Sequence, residues 1–203
     1  MILAVSNDFR GMRPVLRFLL PPLAVLLTSA APPPTLVPHP QYPNHVLVVP
    51  TGSPVKFTGW RNGEAIFEGQ FILTGGWSYG CAFGCSDPPA DSDFQFEMVP
   101  EKEIAARLPH WTQAGEPHGG GFGDRSIIIT GEAKLVTTVV EPALRSALWK
   151  EKVPYVQGQT SILVDDFRTG LSCDSSYFSA RFVAMARLPR VATAEPTGVG
   201  SCA

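Results

Sequence analysis

The sequence predicts one all-β domain, an antiparallel barrel or a small sandwich. Apolar and polar residues alternate in stretches bounded by Gly, Pro, Asn and Asp, the pattern of half-buried strands joined by turns. The 19 Gly and 20 Pro exceed what a helical chain carries, and charged residues, at 17%, fall below the usual quarter. No heptad, internal repeat or charge block competes with that reading.

Residues 1–31 read as an export signal. Arg13 and Arg17 precede the apolar run Phe18 to Leu27, and Thr28-Ser29-Ala30-Ala31 supplies the small residues that signal peptidase requires, so cleavage is expected after Ala30 or Ala31. Met12 to Arg17 is a sufficient basic start by itself, which makes Met12 an alternative initiation site. A bilayer core needs about 20 apolar residues. This run is about half that and is broken by Pro21-Pro22, so no transmembrane anchor is expected after cleavage. The mature protein is then expected in a periplasmic or extracellular space.

Residues 32–45 form a proline-rich, extended lead, and the β-domain is expected over 46–188. Val55 to Trp60 and Glu64 to Thr74 flank Asn62-Gly63, a pair suited to the positive φ angles of a two-residue hairpin turn. Ala65, Phe67, Phe71 and Leu73 share one face of the second strand. Gly75 to Asp93 reads as a loop. Phe94 to Met98 alternates as a strand, and Pro100 opens a short helix ended by Pro109. His110 to Arg125 reads as a second irregular loop. Ser126 to Val140 reads as a long β-prone stretch bent at Gly131, and Ala143 to Lys150 as a turn of helix. A strand over Thr160 to Val164, a turn over Asp165 to Asp174 and a last strand over Tyr177 to Leu188 precede a mobile polar tail at 189–203. A hairpin, a third strand, a short helix and further strands resemble, in their order, an OB-like five-stranded barrel.

Sixteen basic and 18 acidic residues give a net charge of −2. No basic field for nucleic acid exists. Export places the four cysteines in an oxidising compartment, where a Cys81–Cys85 ring and a Cys173–Cys202 staple are the expected pairing among three possible ones.

Gly76-Trp77-Ser78-Tyr79-Gly80 matches G-x-S-x-G and locally resembles the nucleophile elbow of the α/β-hydrolases, which implies Ser78 as a nucleophile. The elbow requires a helix directly after the serine, and Gly84, Pro88 and Pro89 oppose one. His110, Glu116, His118 and Asp124 are a second candidate set, two imidazoles and two carboxylates able to ligate a metal, although their spacing is not that of a helical site. No phosphate-binding or dinucleotide fingerprint occurs, and no cofactor is expected.

The expectation is therefore an exported, non-catalytic binding or envelope-associated domain. Its partner would be a small molecule or an extracellular protein, with contacts drawn from Trp77, Tyr79, His110, Trp111 and His118 around one barrel mouth. The alternative is a small secreted serine hydrolase using Ser78.

Overall fold

The computed structural model describes residues 32–81, 90, 93–116, 121–150, 155–172 and 175–193, the last six of these for backbone only. Residues 1–31, where an export signal is expected, and those after 193, within the expected tail, lie outside them. The described elements run β1 (Thr35–Pro38), β2 (His45–Val49), β3 (Lys56–Arg61), β4 (Glu64–Glu68), β5 (Phe71–Cys81), β6 (Phe94–Pro100), α1 (Lys102–Ala105), β7 (His110–Gln113), β8 (Ile127–Thr130), α2 (Ala133–Val139), α3 (Pro142–Trp149), β9 (Tyr155–Ser172) and β10 (Ser175–Thr193). The fold is mostly β, as the alternating stretches predict.

Five strands close on themselves. β5 pairs with β6 from Gly75↔Pro100 to Cys81↔Phe94, β6 with β8 at Glu97↔Ile128, and β8 with β10 in parallel at Ser179↔Ile128. β10 then pairs antiparallel with β9, and β9 returns to β5 from Phe71↔Val164 to Gly80↔Tyr155. Each strand has a neighbour on both sides, so the ring has no free edge. The parallel β8–β10 pair requires a long connection, which α2, α3 and β9 supply. The hairpin and short helix that opened the OB-like order, β3–β4 and α1, are not part of this ring. The β3–β4 hairpin extends the sheet along the far half of β9 at Ala65↔Thr169. A separate sheet orders as β1-β2-β7.

The core fills the ring with Leu73 and Trp77 of β5, Phe96 and Met98 of β6, Ile127 and Ile129 of β8, Val156, Ile162 and Phe167 of β9, and Phe178 of β10, all buried. Each such large side chain contributes about 1.5–3 kcal/mol by leaving water. The Asn62-Gly63 turn is present, with φ of 52° and 84°, joining strands that pair at Arg61↔Glu64. The expected face is also present, since Ala65, Phe67, Phe71 and Leu73 are buried while Glu68, Gln70 and Ile72 are exposed.

Five expectations are corrected. The stretch 75–81 is strand, not loop: Gly76, Ser78 and Gly80 alternate with inward Trp77 and Tyr79, and β6 and β9 satisfy its backbone from both sides. The proline-rich lead contains β1, which places Pro38 opposite Val46 on an edge strand, where the missing N–H costs no ladder bond. His110–Gln113 is likewise a strand, held by β2. Beyond Gly131 the β-branched run becomes α2, because burying Leu135, Val136 and Val139 outweighs propensity differences of at most about 0.7 kcal/mol per residue. Asp165 and Asp166 interrupt β9 without ending it. Asp166 takes a φ of 49°, and ion pairs from Arg168 to Asp166 (2.7 Å) and from Arg181 to Asp165 (2.8 Å) hold the irregularity.

Candidate functional site

Trp77 lies inside the barrel, 3% exposed, with its indole stacked on Phe96 at 5.2 Å between ring centroids. Among the described residues its Nε1–H has no hydrogen-bond partner. Tyr79 follows on the same inward face and stacks on Phe94 at 5.6 Å. Ser78 sits in mid-strand opposite Glu97 and Gln157, so the strand-turn-helix geometry of a nucleophile elbow does not form there. Cys81 ends β5. The other three cysteines, Cys85, Cys173 and Cys202, lie outside the described residues, and so does His118.

His110 and Trp111 start β7 and are both buried. The Nδ1–H of His110 turns back to the Leu108 carbonyl at 3.2 Å. Trp111 donates from Nε1 to Oγ1 of Thr169 at 2.8 Å, and that hydroxyl donates to the Tyr177 carbonyl at 2.7 Å, tying β7 to β9 and β10. Trp77 lies opposite Gly158 of β9, whereas Trp111 meets Thr169, eleven residues further along the same strand. That is roughly 35 Å of extended chain. Trp77 and Trp111 thus meet β9 at widely separated positions in its sequence. Of the expected metal set, His110 is buried while Glu116 and Asp124 are exposed, and among the described residues no group of three His, Cys, Asp or Glu is placed to hold an ion.

A concavity of about 190 Å³ does open beside Trp111. Its wall comes from His45 on β2, Trp111, Thr112 and Gln113 on β7, Glu116 and Arg125 on the segments that follow, Leu171 near the end of β9 and Ser176 near the start of β10. Antiparallel pairing of His45 with Gln113 sets the floor. Among the described residues, neither Glu116 nor Arg125 makes an ion pair. The Arg125 guanidinium carbon lies 6.0 Å from the centre of the Phe178 ring, within cation–π range. Nδ1 of His45 is buried without a hydrogen-bond partner among the described residues. No described helix is long and apolar enough to cross a membrane.

Behind Trp111 lies an aromatic cluster around His39, with ring centroids 4.8 Å from Tyr42, 5.0 Å from Trp60 and 5.4 Å from Trp111. His39 is 3% exposed. Its Nε2–H donates to the Gly63 carbonyl at 3.2 Å, and Nδ1 accepts from the backbone N–H groups of Gln41 (3.0 Å) and Tyr42 (3.1 Å). Burial lowers its pKa below the ordinary 6.5, the Gly63 hydrogen bond opposes that shift, and the charge of His45 adds to it. The imidazole is held neutral, joining the loop after β1 to the tip of the β3–β4 hairpin.

Of the expected contact residues, Trp111 lines the concavity, and Glu116 of the expected metal set joins it there. His45, Thr112, Gln113, Arg125, Leu171 and Ser176 escape sequence reasoning, since four separated segments supply them and no local pattern links those segments. Arg125, a lone cation ending a glycine-rich stretch, is the one local signal. Compared with known families, curated proteins and solved structures, the chain matches none.

Proposed function

We propose that the protein is an exported, non-catalytic binding domain that takes a small polar molecule in the concavity beside Trp111. The observation that carries this reading is the convergence of Glu116, Arg125 and His45 on one small recess with an apolar wall of Trp111 and Leu171. Recognition sites combine an apolar surface with a few placed polar groups. Opposite charges left unpaired with each other are available to a ligand. The hydrolase alternative loses its motif argument, because Ser78 belongs to a two-sided strand.

Export supplies the setting. In an oxidising space a ring between Cys81 and Cys85 would brace the end of β5. A thermal-shift screen of the full chain against amino acids, monosaccharides and small carboxylates tests the binding reading. A binder should raise the Tm of the parent and not that of Ser176→Trp, whose indole would fill the recess. A panel without any shift, or equal shifts in both proteins, would overturn it.

A further inference from the structure

Resting on that reading of the concavity, we infer that its ligand is a free α-amino acid with an apolar side chain. At about 190 Å³ the recess is smaller than the roughly 300–1,000 Å³ of sites for drug-sized molecules, which suits one residue-sized ligand. Glu116 and Arg125 line it with opposite charges and, among the described residues, form no ion pair. A ligand that brings only one charge, or none, leaves at least one of these ions without a counter-charge. A zwitterion compensates both: its carboxylate suits the planar fork of Arg125 and its ammonium suits Glu116. Trp111 and Leu171 then receive the side chain, and Gln113 and Ser176, which also line the recess, supply further hydrogen-bonding groups. A phosphate would meet Glu116 as a like charge, and a neutral sugar would leave both ions without a counter-charge.

Calorimetric titration of the full chain with L-leucine, N-acetyl-L-leucine, L-leucinamide and glucose tests this. L-Leucine is expected to bind at least tenfold more tightly than either blocked form. Arg125→Gln should weaken L-leucine and abolish its advantage over L-leucinamide, whereas Glu116→Gln should abolish its advantage over N-acetyl-L-leucine. Loss of the matching discrimination, and not mere weakening, separates ligand contact from damage to the fold. If the blocked forms bind as well as L-leucine, the zwitterion assignment falls. If glucose alone binds, and Ser176→Trp removes that binding, the amino-acid assignment falls while the binding-domain reading stands. If no compound binds, the amino-acid assignment falls.

Discussion

The indole of Trp77 rests against the backbone of Gly158, so that a Cβ at residue 158 would come within 2.9 Å of three of its ring atoms. Trp77 occupies space inside the barrel that the absent side chain opens. The indole has little room to yield, because it is buried and stacked on Phe96.

Gly158→Ala is therefore expected to destabilise the domain by about 1–3 kcal/mol, the usual cost of overpacking. Chemical denaturation measures it, and Trp77→Phe should recover part of the loss in a double-mutant cycle. Additive effects of the two substitutions would mean that the contact is not the cause.

Gly63 has a φ of 84° at the tip of the β3–β4 hairpin. A β-branched side chain is strained there, so Gly63→Val should cost about 1 kcal/mol or more. Equal denaturation midpoints for parent and variant would contradict the turn geometry.

The pH dependence of stability follows from His39. Its folded pKa lies below 6.5, so between the folded and unfolded values the unfolded chain binds more protons. The contribution of His39 is present in full above about pH 6.5 and is lost as the pH falls through that window toward the folded pKa. Protonation would also set an N–H at Nδ1 against the N–H donors of Gln41 and Tyr42. Denaturation across about pH 7.5 to 5 should show a shallower acid-side slope in His39→Gln than in the parent. Identical slopes would assign the effect to another group.

Much of this fold was legible in the sequence where local pattern and tertiary role agree. Asn62-Gly63 sits between alternating strands, and the inward set Ala65, Phe67, Phe71 and Leu73 is the one buried. Legibility failed where the outward residues of a strand are glycine and serine. Gly76, Ser78 and Gly80 look like a turn, and only pairing on both sides reveals the strand. It failed again at Val136 to Val139, where burial against the barrel overrides β propensity. His39 was missed because it stands in a proline-rich lead, and its hydrogen bond to Gly63 spans 24 residues. The concavity was half-visible: Trp111 and Glu116 were picked out, but no local feature brings Leu171 and Ser176 to them.

Ser78 supplies a separate test. Placed in mid-strand opposite Glu97 and Gln157, it should not react with a serine-directed phosphonate, and Ser78→Ala should change stability by less than about 0.5 kcal/mol. Phosphonate adduct on the peptide containing Ser78 would restore the hydrolase reading.

The most direct test of the binding site is an amide-shift titration of the isotope-labelled full chain, with L-leucine and separately with glucose. The account predicts that at least one of the two moves a contiguous set of amides at Thr112, Gln113, Leu171 and Ser176, the residues that line the concavity, and leaves Gly76 to Gly80 unmoved. Shifts centred on Gly76 to Gly80, or no shift at the concavity with either compound, would contradict it.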